Sequence, residues 1–155
     1  MYLTVNTDNQ VKVTAEGGVS AVVTAMENHP TDAKVQAAAC DALVKLTCEN
    51  NDNKVKVAAE GGVGAIVKAL QNHPADAKVQ EAACGALRNL AHSNSDNKVK
   101  VAAEGGIGAI VTALHRHPAD AKVQEAACYA LGNLTANNAD NRVTVAAEGG
   151  VGAIF

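Results

Sequence analysis

Cysteine and histidine are the side chains of this 155-residue chain that could do chemistry. Cys40, Cys84 and Cys128 recur every 44 residues, with Cys48 standing apart. A thiol becomes a nucleophile or metal ligand as the thiolate, which needs an electropositive and accessible setting. The repeated thiols instead follow alanines, as in Ala83-Cys84, a context that predicts buried, inert side chains. A disulfide requires Cα atoms within about 7 Å, whereas neighbouring helical layers pack about 8–10 Å apart. Bridging along the repeat is therefore not expected, and no Cys-x-x-Cys pair offers a zinc spacing. Unpaired thiols suit a reducing compartment inside the cell, cytoplasmic or nuclear.

His29, His73 and His117 each precede a proline, and His115 lies two residues from His117. Two imidazoles could catch an ion, but no third ligand is placed beside them, so solvated loop histidines are expected. Gly61-Gly62-Val63-Gly64 has the look of a phosphate loop, because backbone N–H groups at a helix start attract anions. It follows a helical pattern rather than a strand and lacks the lysine of a P-loop. A helix corner explains it better. No serine, cysteine or carboxylate pair has the spacing of a nucleophile with its base. Asn133-Leu134-Thr135 matches a glycosylation sequon, yet it falls in a predicted helix of a chain with no visible secretion signal. Neither catalysis, nor a cofactor, nor a metal site is expected.

The elements that position these residues are set by repetition. Ala-Glu-Gly-Gly occurs at 15–18, 59–62, 103–106 and 147–150, and the glutamates are 44 residues apart. A fixed period of this length marks a stacked array in which each unit buries its apolar face against the next. Cutting at Asp-Asn gives units 8–51, 52–95 and 96–139 and a partial unit 140–155. Leu3-Thr4 matches Leu134-Thr135, so residues 1–7 read as the remnant of a preceding third helix. Ile154-Phe155 stops inside a second helix. Neither end carries a polar cap, as in a segment excised from a longer array or designed as one, so end-to-end self-association is possible.

Within unit 52–95, the first helix spans Asp52 to Glu60, with Asp52 or Asn53 as N-cap, and closes at Gly61-Gly62. The second carries Val63, Ile66, Val67 and Leu70 on one stripe and stops at His73-Pro74. The third enters at Asp76 or at Pro74 and buries Val79, Ala83, Ala86, Leu87 and Leu90. The composition is 48% hydrophobic but only 2% aromatic, which calls for many Ala and Val side chains and closely spaced helices. A net charge of −3 argues against nucleic acid or an anionic membrane surface as partner. No apolar run reaches the roughly 18–20 residues needed to span a bilayer.

Three helices per unit, a glycine turn after the first and a long third helix resemble an armadillo repeat. The resemblance rests on Asn53-Lys54, Gly61 with Val63-Gly64-Ala65-Ile66, Val79-Gln80-Glu81-Ala82-Ala83 and Ala86-Leu87-Arg88-Asn89-Leu90-Ala91. It implies an all-α fold, a right-handed α-solenoid of three-helix repeats with period 44. HEAT repeats are the nearest structural alternative. Two departures from the family pattern are visible: extra length around Gln71 to Ala77, and Gly64 where the family commonly has proline.

Comparing the units exposes the positions that vary: Ala37/Glu81/Glu125, Asp41/Gly85/Tyr129, Val44/Arg88/Gly132, Lys45/Asn89/Asn133 and Cys48/His92/Ala136. On the third helix they form one stripe opposite the core. Such a stripe is either an indifferent solvated face or a ligand surface. The resemblance implies the latter, with the third helices lining a concave face that holds an extended peptide or protein segment. It puts Asn89 and Asn133 at the position that grips peptide backbone, an amide being both donor and acceptor. Lys45 holds that position in the first unit, and of the family's tryptophan positions only Tyr129 is aromatic. Arg88, Glu81 and Glu125 would meet charged side chains, and Asp41 and His92 complete the expected site. The expected function is a non-catalytic binding scaffold. The alternative is a self-assembling structural segment without its own ligand.

Overall fold

The computed structural model describes residues 7–149. Among them there are ten helices and no strand. They are α1 (Thr7–Ala15), α2 (Gly18–Asn28), α3 (Ala33–Thr47), α4 (Asn51–Ala59), α5 (Gly62–Asn72), α6 (Ala77–Ala91), α7 (Ser95–Ala103), α8 (Gly106–Arg116), α9 (Ala121–Thr135) and α10 (Ala139–Ala147). The expected helix remnant before Thr7 and the expected second helix at Ile154 and Phe155 lie outside the described residues.

Each unit is a short, a medium and a long helix. The units stack so that α3, α6 and α9 form one layer, α2, α5 and α8 a second, and α1, α4, α7 and α10 a third. This is an α-solenoid. Its core lies between the second and third helices, where Val63, Ile66, Val67, Leu70, Val79, Ala83, Ala86, Leu87 and Leu90 are all buried. These are the two apolar stripes read from the sequence.

The corner between first and second helices follows from its two glycines. Gly61 sits at φ 84°, in the left-handed region that costs an L-residue about 1–2 kcal/mol. Gly62 follows, and a Cβ there would lie 2.8 Å from the carbonyl oxygen of Val57. One glycine is required by conformation and the other by space.

The caps show where local patterning misleads. α4 is capped by Asn50, whose side chain accepts from the Asn53 N–H, and not by Asp52 or Asn53, which lie within the helix. Asn94 and Asn138 repeat the arrangement. The preceding residues Glu49, Ser93 and Asn137 take positive φ values of 52–54°, which turn the chain sharply into each cap. At the third helix Asp76 caps as expected, accepting from Val79 N–H, and the Pro74 entry is not used.

Side-chain amides and one lysine row tie the corners together. Gln80 Nε2 donates to the carbonyls of Leu70 and His73, closing the end of α5, and Gln36 and Gln124 do the same for α2 and α8. Lys54 and Lys98 are buried and donate to the carbonyls of His92 and Ala136 at the ends of α6 and α9. Burial pushes the Lys54 pKa below its ordinary value. Gln10 plays the same part in the first unit, on the Lys45 and Cys48 carbonyls.

Glu60 reaches back one unit. Its carboxylate accepts from Lys56 Nζ at 2.8 Å and from Ser20 Oγ at 3.1 Å, and these bonds hold its pKa below the ordinary 4.5. Glu104 and Glu148 lie over Gly64 and Gly108 in the same way, where a Cβ would come within 3.3–3.5 Å of the carboxylate. A carboxyl with a depressed folded pKa adds stability above its unfolded pKa and loses that contribution as pH falls through the folded value. Glu60→Gln should therefore be less stable than wild type at neutral pH, and the gap should close on acidification below about 4. Urea unfolding of both proteins across that range checks this; a gap independent of pH would contradict it.

Candidate functional site

The third-helix layer presents a groove of about 690 Å³. Its floor is small and apolar: Ala37, Ala38, Val44, Ala82, Gly85 and Ala126. Gly85 deepens it, since a Cβ there would touch Val44 Cγ2 at 3.4 Å. The rims are charged, with Asp41, Glu81 and Glu125 among Lys78, Lys122 and Arg88. Helix stacking in register sets this pattern. Position 78 of α6 and position 122 of α9 are both lysine, and positions 81 and 125 are both glutamate, so like residues line up along the array.

Four of the nine sequence-predicted residues, Asp41, Glu81, Arg88 and Glu125, meet in this one groove. Tyr129, Asn133 and Glu125 line an adjoining surface with Gln124, Cys128 and Gly132. Arg88 joins the two, its guanidinium carbon lying 4.2 Å from the centre of the Tyr129 ring across the α6–α9 boundary. A cation stacked on an aromatic face contributes about 0.5–1 kcal/mol at an exposed site. The pair builds a flat wall with a positive edge. Lys45 is set aside from the groove, paired with Asp41 at 3.0 Å on the surface of α3. His92 is exposed at the C-cap of α6, where its backbone is engaged by Lys54.

Asn89 and Asn133 have a second occupation. Asn89 Nδ2 donates to the Val44 carbonyl at 2.9 Å, and Asn133 Nδ2 donates to the Arg88 carbonyl at 3.0 Å. Each links its third helix to the preceding one through its amide nitrogen. Lysines 78 and 122 went unrecognised in the sequence because they are identical in every unit, together with Lys34. A search for varied positions passes over them. Their 44-residue recurrence on the exposed side of the third helix was the available signal.

Two further expectations need correction. Cys40 and Cys84 are buried, and burial pushes both thiols up to about 12, which keeps them protonated. Cys128 is exposed, contrary to the burial its alanine context predicts. α6 covers the face of α3 that carries Cys40, and α9 that of Cys84, but among the described residues no further third helix follows α9. All four cysteines are free thiols. The loop histidines are not merely solvated: a ring nitrogen of His73 lies 2.8 Å from the Pro30 carbonyl and one of His117 lies 2.7 Å from the Pro74 carbonyl, so they tie successive loops. Among the described residues no helix is long and apolar enough to cross a membrane.

The model of the Armadillo/beta-catenin-like repeat matches residues 50–92 and 94–136, together more than half of the chain. Protein aardvark of Dictyostelium discoideum is 56% identical over 34 residues, 22% of this chain and 4% of that protein's length. No solved structure matches.

Proposed function

We propose that this chain, which belongs to the armadillo/beta-catenin-like repeat family, is a non-catalytic scaffold holding an extended peptide or protein segment along its third-helix groove. Armadillo repeats generally serve protein interaction. The observation that carries the finer statement is the groove itself: a small-residue floor flanked by charges of both signs.

In this proposal the ligand lies across α3, α6 and α9. Asn89 and Asn133 offer their amide oxygens to its backbone N–H groups, while their Nδ2 atoms stay on the Val44 and Arg88 carbonyls. Glu81 and Glu125 meet basic side chains, Arg88, Lys78 and Lys122 meet acidic ones, and Tyr129 backs an apolar residue. Asp41 closes one end beside Lys45, and His92 lies at the margin. The chain would work inside the cell, in cytoplasm or nucleus, where an exposed thiol such as Cys128 stays reduced.

Selection from a random peptide library on the immobilised chain tests this. Glu81→Lys with Glu125→Lys should weaken the selected peptides about tenfold or more and shift selection toward acidic sequences, because rim charges set specificity. Both side chains are at the surface, so the fold should survive, as circular dichroism would confirm. Selected peptides that bind the double variant unchanged would rule the groove out.

A further inference from the structure

Arg88 and Tyr129 stand between two openings in the third-helix layer. The guanidinium carbon of Arg88 lies 4.2 Å from the centre of the Tyr129 ring. Arg88 lines the groove and Tyr129 does not, whereas Tyr129 lines the adjoining surface and Arg88 does not. The guanidinium therefore lies between the ring and the groove, one flat face on Tyr129 and the other toward the groove. Beside it the floor carries no side chain at Gly85, three residues before Arg88 on α6. Gly85 holds the position of Asp41 on α3 and of Tyr129 on α9, so one side chain is missing from the middle of a row. Its backbone is not left-handed. Among the described residues, the one atom of another helix within 4 Å of a Cβ there is Val44 Cγ2, at an ordinary 3.4 Å. Neither conformation nor packing calls for glycine, which is among the poorest helix formers.

Charge selects what fills the space. A guanidinium face offered to the groove attracts the negative face of an aromatic ring, and tryptophan gives the strongest contact of this kind. The stack from Tyr129 to Arg88 runs across the helices, so the edges of a further ring point along them. Those edges are positive. Glu81 lies one turn along α6 from Gly85 and Glu125 holds the same position on α9; among the described residues neither forms an ion pair. A ring over Ala82 and Gly85 thus has small residues beneath it, a cation on its face and a carboxylate along its edge, where an indole N–H finds an acceptor. An aliphatic side chain would use the floor alone, and an acidic one would be repelled by Glu81. Building on the groove's proposed role, we propose that the segment it holds carries a tryptophan at this point, stacked on Arg88 over Gly85 so that the guanidinium lies between two rings. The N–H edge of Arg88 stays open to an acidic neighbour, because stacking occupies only its faces.

The chain contains no tryptophan, so a bound peptide's own indole fluorescence reports the contact. Peptides selected from a random library on the immobilised 155-residue chain should be enriched in tryptophan at one position. Binding of such a peptide, followed by its tryptophan emission, should weaken about tenfold on Gly85→Leu, which fills the space. It should weaken about fivefold on Arg88→Lys, which keeps the charge but loses the flat face. Neither position is in the core, so both variants should keep the wild-type thermal midpoint. Peptides that bind the Glu81→Lys, Glu125→Lys protein unchanged would remove the groove as the binding surface, and this proposal with it. Peptides that depend on those glutamates yet show no tryptophan enrichment, or that bind Gly85→Leu and Arg88→Lys as tightly as wild type, would overturn the tryptophan site alone.

Discussion

Leu87→Ala is expected to destabilise the chain by about 3–5 kcal/mol, the upper part of the range for emptying a leucine site in a well-packed core. Leu87 is fully buried on α6, the third helix that has another third helix on each side. The cavity cannot collapse, because α3 and α9 are already in contact with α6 along its length. Leu43 and Leu131 occupy the same position on α3 and α9 and are equally buried, but each of those helices has one third-helix neighbour among the described residues. Their replacement by alanine should cost less, about 2–3 kcal/mol, since one side of each site can relax. Urea denaturation of the three variants measures the order directly. Equal losses, or a larger loss at an outer position, would contradict a stability built from neighbour-to-neighbour interfaces.

The second large effect is expected at Gly62. Alanine there places its Cβ 2.8 Å from the Val57 carbonyl oxygen, a backbone atom that cannot swing aside, so α4 and α5 must separate. The cost should be about 1–3 kcal/mol, as for other overpacked sites. Gly106 is built in the same way against Val101 and should respond alike. Gly64, two residues on, is the control. A Cβ there would meet a flexible Glu104 carboxylate at 3.5 Å, an ordinary contact. Gly64→Ala should be neutral or stabilising by up to about 1 kcal/mol, the helix-propensity gain over glycine. Thermal melts of the three variants separate the cases, and a Gly62→Ala protein that melts at or above the wild-type temperature would sink the steric account.

What the sequence made legible were the features decided within one unit. The Gly61-Gly62 corner, the stop at His73-Pro74, the Asp76 cap and the two apolar stripes each depend on residues a few positions apart, and each stands as read. The features that went unread depend on residues brought together from far apart in the chain. The Asn89 and Asn133 amides meet carbonyls 45 positions earlier, a partner no local pattern displays. Cys128 has the alanine neighbourhood of Cys84 and differs in having no further third helix beyond it among the described residues. Lys54 and Lys98 look like solvated helix charges until the following corner turns out to lie over them. The groove was legible by half: variation exposed Glu81, Arg88 and Glu125, and invariance hid Lys78 and Lys122.

The hydrogen bonds that cross from one unit to the next mostly share one property. Asn89, Asn133, Asn97, Asn141, His73 and His117 all direct a side-chain nitrogen to a main-chain carbonyl of the preceding unit. A carbonyl is present whatever residue occupies the position. Each unit therefore brings its own attachment and asks nothing of the side chains it lands on. Copying a unit, deleting one or joining two from different places leaves every such attachment with somewhere to go. A chain assembled in this manner can lengthen or shorten without matched changes on either side of the new junction, and the near-identity of neighbouring units in this sequence is what such freedom would leave behind.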